Sequence, residues 1–122
     1  MSAAQQVVTI DTSGMTLDDV VAVARGNASV TISVESLTAM AATREQIDAL
    51  ANSPLPVYGV STGFGALANR HIPVEDRVQL QRSLIRSHAA GMGAPVEREV
   101  VRALMLLRLK TLASARTGIR PV

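Results

Sequence analysis

The sequence predicts a mainly α-helical chain with a few short strands near its N-terminus, and three observations lead there. Of the 122 residues, 48% are hydrophobic but only 2% aromatic, so the core must be built from Ala, Val, Leu, Ile and Met. Those side chains mostly favour helices. Apolar residues recur at helical spacing in runs bounded by Pro and Gly. Two brief β-branched runs, VVTI and SVTISVE, lie in the first 35 residues. A chain of this length fits one domain with a usable core.

In chain order, Val7 to Ile10 reads as a short strand of β-branched residues. Thr16 is placed to cap a helix whose first turn carries Asp18 and Asp19, where the helix dipole favours anions, and Gly26 is its stop. SVTISVE alternates as a second strand does. From Ser36 to Leu50, the residues Leu37, Met40, Ala41, Ile47 and Leu50 return to helical period, and the two prolines of NSPLP end that helix. Pro73 stands where a first-turn proline would, ahead of Glu75 and Asp76, and predicts a helix to about Ala90. GMG breaks it. Pro95 opens the last helix, which runs to about Ala115 with Thr117 and Gly118 as its stop. That helix is apolar on more than one face through Val100, Val101, Leu104, Met105, Leu106 and Leu107. A helix of this kind expects neighbours on several sides. The expectation is therefore a segment of a larger chain or an obligate assembly.

Composition narrows the function classes. The chain has no cysteine, so disulfides and thiolate metal sites are excluded, and the two histidines have no carboxylate at metal-ligand spacing. The N-terminal residues do not have the pattern of a signal peptide, and no run approaches the roughly 18 apolar residues of a membrane span. A cytoplasmic location without a membrane partner is expected. The net charge of +2 is unevenly spread: residues 1–69 carry two bases against six acids, residues 70–122 ten bases against four. The bases alternate with apolar residues at helical spacing, and no aromatics are interleaved for base stacking. They are read as solvated or subunit-facing surface, not as a nucleic-acid site.

The stretch VYGVSTGFGALANRHIP, Val57 to Pro73, holds the only Tyr and the only Phe, with glycines at 59, 63 and 65. Gly63, Gly65 and Ala68 match G-x-G-x-x-G/A, but Pro73 arrives too soon for the crossover helix that a dinucleotide site requires. No Gly-Lys-Ser/Thr follows, which removes the Walker pattern. Glycines let a backbone bend and approach a small molecule closely. On the residues alone, Tyr58 is either a packed side chain or an acid–base group. A phenol takes a proton at neutral pH only where cations, donors or a helix N-terminus favour the phenolate. His88, beside the glycine-flanked break in SHAAGMG, is either a partly buried histidine bonded to a carbonyl or a ligand contact. His71 reads as a loop residue. Ser61, Ser87 and Ser114 lie in no G-x-S-x-G elbow, so acyl transfer is set aside.

YGVSTGFG, followed about twenty residues later by LQRSLIRSHAAGMG and then by the run through Pro121, closely resembles the aromatic amino acid ammonia-lyase family. The match covers Tyr58 to Pro121 closely and residues 1–50 in outline. The resemblance implies a fumarase/aspartase-like fold of which these 122 residues are a single N-terminal segment. Within it, 1–56 forms a small α/β part, 57–72 a mobile Tyr/Gly-rich loop and 73–122 two long helices. It implies that Tyr58 takes a β-proton from the substrate, that Gly65 belongs to the loop closing over it, and that His88 lies beside the substrate's ring. His88 followed by Ala89 favours L-histidine as substrate, giving urocanate and ammonia. A methylidene-imidazolone (MIO) prosthetic group, formed in the family from an internal Ala-Ser-Gly, is implied for the whole enzyme. These residues do not encode it: Thr12-Ser13-Gly14 lies in the wrong context and Ala113-Ser114-Ala115 lacks the glycine. The resemblance further implies a homotetramer with sites shared between subunits, and an isolated chain without activity. The alternatives are a non-catalytic assembly module that binds a partner chain, and a tyrosine ammonia-lyase or aminomutase of the same family.

Overall fold

A computed structural model describes residues 6–121. It is mainly helical with two short strands, as the composition requires. The chain divides into two compact units. One is formed by the chain up to Glu45 and again from Pro95 onward; the other runs Gln46–Ala94.

The first unit begins with β1 (Val7–Ile10), whose alternate residues Val8 and Ile10 are buried. Helix α1 (Leu17–Ala24) follows. Its start is chemically determined: Asp19 N–H donates to the Thr16 hydroxyl at 3.1 Å, while Thr16 N–H donates back to the Asp19 carboxylate at 3.0 Å. This reciprocal box satisfies two amide donors that a helix start leaves without intrahelical partners. Gly26 closes the turn, where a β-carbon would stand 2.7 Å from the Ala22 carbonyl oxygen. β2 (Ser29–Ile32) then pairs parallel with β1, Val7 opposite Ser29 through Ile10 opposite Ile32.

Helix α2 (Val34–Ala51) starts two residues earlier than its apolar period suggests. The cause is Ser33, whose hydroxyl accepts the Ser36 N–H at 3.1 Å and caps the first turn. Helix α4 (Arg98–Ala113) packs against α1. Glu97 is extended, so the helical ladder begins with Val101 N–H to the Glu97 carbonyl, not at Pro95. The helix also ends two residues short of expectation. Ala115 takes a left-handed φ of 61°, and the carbonyls of Ala113 and Ala115 are claimed by the hydroxyls of Ser36 and Thr43 at 2.5 and 2.6 Å.

The core of this unit joins Val8, Ile10, Val23, Ala28, Met40, Leu106 and Ala113. Around it, α4 donates to the backbone of the N-terminal segment. Arg102 Nε reaches the Val23 carbonyl at 2.8 Å, and Lys110 Nζ reaches the carbonyls of Asp11 and Ser13. The Asp11 carboxylate is held below its ordinary range by Ser13, through hydroxyl and amide, with a further contribution from the Lys110 charge. Leu104, Met105 and Leu107 on α4 remain exposed.

The second unit holds the end of α2, the glycine-rich segment and α3 (Val74–His88). Pro73 is the residue before the first helical turn, with Glu75 and Asp76 in that turn. Arg77 links three parts of this unit, donating from Nε to the Ile72 carbonyl at 3.0 Å and from Nη1 to the Ala51 carbonyl at 2.7 Å. Among the described residues, no helix is long and apolar enough to cross a membrane.

Candidate functional site

The segment from Val57 to Ile72 is an irregular loop stitched together by its own backbone. The Val57 carbonyl accepts the amides of Val60, Ser61 and Thr62 at 3.1, 2.9 and 3.3 Å, which winds the chain into a tight coil. The loop then returns on itself. Thr62 and His71 form an isolated antiparallel bridge, with Ile72 N–H on the Ser61 carbonyl at 2.9 Å and Gly63 N–H on the Arg70 carbonyl at 3.2 Å. Between these stems lies a three-residue 3-10 turn, Gly65–Leu67. Helix α2, not a strand, is the element before the glycines, and only the 3-10 turn follows them before α3 starts at Val74, so the dinucleotide pattern has no structural counterpart here.

Glycine is required at two of these positions for different reasons. Gly59 has φ +70°, and a β-carbon there would stand 3.0 Å from the Phe64 ring. Gly63 leaves no room: an added β-carbon would lie 2.5 Å from Leu67 Cβ. The backbone thus bends at 59 and is tightly packed at 63.

This arrangement puts Tyr58 outward. Tyr58 is 63% exposed, while Ser61 and Thr62 just beyond it are 0% and 2% exposed. The Tyr58 and Phe64 rings meet edge to face, centroids 5.8 Å apart at 78°. Such a pair is a favoured aromatic geometry, and it packs one side of the Tyr58 ring while the residue as a whole stays largely exposed. Gly65 follows Phe64, with φ +55° and open space where a side chain would be. Tyr58 and Gly65 therefore share one loop, joined through Phe64.

His88 is the last residue of α3 and is exposed. Its Nδ1 lies 2.9 Å from the Leu84 carbonyl oxygen and 2.9 Å from the Ser87 hydroxyl. The Ser87 hydroxyl also donates to that Leu84 carbonyl at 2.8 Å, so ring, hydroxyl and carbonyl meet on the Nδ1 side. The hydrogen bonds of His88 stay within its own helix. His71 lines a cleft of about 510 Å³ with Asn52, Pro56, Asn69, Val74 and Arg77, and neither Tyr58 nor His88 lines that cleft. Among the described residues, no group of three His, Cys, Asp or Glu could hold a metal ion.

Sequence reasoning missed Ser61, Thr62 and Arg77. Ser61 Oγ accepts the Val57 N–H at 2.9 Å, and Thr62 Oγ1 accepts the Gly59 N–H at 3.4 Å. The available signal was a Ser-Thr pair three and four residues after the amides they cap, the spacing of hydroxyl-stabilised turns.

Comparison with known proteins sets this loop in context. The family model described as aromatic amino acid lyase matches residues 15–122. The chain is 66% identical over 114 residues to a histidine ammonia-lyase of Streptomyces avermitilis, covering 93% of this chain and 22% of that one. Among solved structures, the tyrosine aminomutase of Streptomyces globisporus superposes with a TM-score of 0.86 at 34% identity, over 93% of this chain and 22% of its own. Histidine ammonia-lyase from Trypanosoma cruzi superposes with a TM-score of 0.81 at 34% identity, over 94% and 22%. The chain thus spans about a fifth of the length of the relatives it matches. The matched residues include the whole Tyr58 loop and both later helices, and on that ground the chain belongs to the aromatic amino acid lyase family.

Proposed function

We propose that these residues supply the general base and part of the substrate pocket of an enzyme that eliminates ammonia from L-histidine. In that reaction the Tyr58 oxygen takes a proton from the substrate's Cβ. The C–H pair becomes the Cα–Cβ double bond of urocanate, and the amino nitrogen leaves with the electrons of its C–N bond as ammonia. His88 lies beside the substrate's imidazole, and the 57–72 loop, to which Gly65 belongs, closes over the substrate and excludes water. The observation that carries the proposal is the placement of Tyr58: a largely exposed phenol on a loop whose backbone is otherwise tied down. The 66% identity to a histidine ammonia-lyase supports the choice of substrate.

The amine must also be activated, since general-base help is worth only about 10²- to 10⁴-fold. The family's methylidene-imidazolone group would do this by acting as an electrophile. The residues present here do not fit it. The chain contains no Ala-Ser-Gly, and Ser114, its nearest approach, donates its hydroxyl to the Thr111 carbonyl at 2.7 Å beside a left-handed Ala115. The proposed site is completed by further polypeptide and by other subunits of a homotetramer in the cytoplasm; the exposed Leu104, Met105 and Leu107 of α4 support such cover.

The test joins these residues to the remaining part of the S. avermitilis relative and follows urocanate absorbance. Turnover of histidine is expected, with Tyr58→Phe lowering it by about 10²- to 10⁴-fold while the fold is retained. Near-normal turnover by Tyr58→Phe would refute the base assignment. The similarity to a tyrosine aminomutase favours a second reading, in which ammonia is returned to the product. Release of a β-amino acid from tyrosine, with no urocanate from histidine, would select it.

A further inference from the structure

We infer that Ser61 and Thr62 are positioning residues for Tyr58, their buried hydroxyls fastening the two amides that flank it and so aiming the phenol at the substrate. The inference rests on the reading of Tyr58 as the base. Val57 and Gly59 are the residues on either side of Tyr58. The amide of Val57 is held by Ser61 Oγ at 2.9 Å, and that of Gly59 by Thr62 Oγ1 at 3.4 Å. Both hydroxyls lie under the loop, on residues 0% and 2% exposed, so water does not compete for them. Thr62 Oγ1 uses its own proton toward the Gly63 carbonyl at 3.1 Å, which leaves its lone pairs for Gly59.

The hydroxyls are themselves anchored. The Ser61 carbonyl receives the Ile72 amide at 2.9 Å, and the Ile72 carbonyl in turn receives Arg77 Nε from the first turns of α3 at 3.0 Å. A chain of hydrogen bonds therefore runs from a helix, through the returning stem, to the backbone on each side of the phenol. Gly59, with φ +70°, has no side chain to fix its own conformation, so the Thr62 contact compensates for the freedom a glycine brings. Tyr58 itself needs an open hydroxyl end for chemistry, so its orientation must be set from behind.

The experiment measures kcat, KM and the kinetic isotope effect on β-deuterated histidine in the catalytically complete polypeptide. The variants are Ser61→Ala, Thr62→Val, Thr62→Ser and Tyr58→Phe, with the first two also made in the Tyr58→Phe background. A base displaced by about 1 Å costs on the order of 10²-fold in rate. The expected result is a fall of about 10- to 100-fold in kcat for Ser61→Ala and Thr62→Val, with KM little changed and a larger isotope effect as proton removal becomes slower. Thr62→Ser, which keeps the hydroxyl, is expected to recover most of the rate. In the Tyr58→Phe background the same substitutions should cost little more, because the group they aim is gone. Equal losses in both backgrounds, or an unchanged isotope effect, would overturn the inference and leave a purely structural role. Should Ser61→Ala fail to fold, the Thr62→Val and Thr62→Ser pair decides alone. Should Tyr58→Phe itself retain full rate, the proposed base has failed, a result distinct from a positioning variant that behaves as wild type.

Discussion

Replacing Gly63 with Ala puts the packing of the loop to a direct test. The new β-carbon would stand 2.5 Å from Leu67 Cβ and 3.1 Å from the Leu67 carbonyl oxygen. Carbon atoms rest at roughly 3.5–4.0 Å, so Leu67 must retreat by about 1 Å. A rotamer change cannot relieve this, because Cβ moves only with the backbone. Leu67 closes the 3-10 turn through its amide on the Phe64 carbonyl, and its own carbonyl receives the Arg70 amide, each at 3.0 Å. Moving it therefore strains the turn and the stem together, and overpacking of this kind costs about 1–3 kcal/mol. Gly65 provides the contrast. Its surroundings are open, but its φ of +55° makes Ala cost about 1–2 kcal/mol by backbone strain alone. Asn tolerates that conformation, so Gly65→Asn should be milder than Gly65→Ala, whereas Gly63→Asn should be no better than Gly63→Ala. The chain has one Tyr and no Trp, so its intrinsic emission reports on Tyr58 alone. Urea unfolding followed by circular dichroism gives the energy, and Tyr58 emission shows whether the ring pair with Phe64 has shifted. A Gly63→Ala protein with wild-type stability and unchanged emission would refute the steric argument.

Two further outcomes are expected. Ser36→Ala should lower stability by about 1–3 kcal/mol, because the Ala113 carbonyl, on a residue with no exposure, loses its hydroxyl donor. Thr38→Ala, an exposed neighbour on α2, should stay within about 0.5 kcal/mol in the same urea titration, and equal effects would discount the buried bond. The Asp19 carboxylate is held below its ordinary value of 3.8 by the Thr16 hydroxyl and amide. Its folded pKa is thus the lower of the two, so its contribution is full above the ordinary aspartate range and is lost as pH falls through the depressed folded value. Unfolding measured across acid pH should show a shallower loss in Asp19→Asn than in the wild type; identical slopes would count against the capping box as the titrating element.

The parts of the fold legible in the sequence are those determined by neighbouring residues. Thr16 with Asp19 announces α1 and the β-branched VVTI announces β1, because capping and side-chain stiffness act within a few positions; Pro73 marks the start of α3 but as its N-cap, one residue before the first-turn place expected of it. Long-range bonds were not legible. The reach of Ser36 to a carbonyl 77 residues away, or of Arg77 to Ala51, leaves no periodic trace, and these bonds shift the ends of α4 and the stem of the loop. At the candidate site, the bend around Tyr58 was readable from its glycines. The roles proposed for Tyr58, Gly65 and His88 rest on family resemblance, since a phenol on a bent loop is chemically open on sequence grounds alone. The burial of Ser61 and Thr62 was hidden because serine and threonine are ordinarily surface residues.

The first unit is assembled from stretches that emerge from the ribosome far apart. Val8 and Ile10 wait for Leu106 and Ala113, so this layer cannot close until about a hundred residues have been made, and the Tyr58-bearing portion is synthesised in the interval. Long loop closures of this kind slow folding and prolong the exposure of sticky surface. Conditions that shield Val8 and Ile10 during that interval, such as chaperone supply, should therefore raise the yield of native protein.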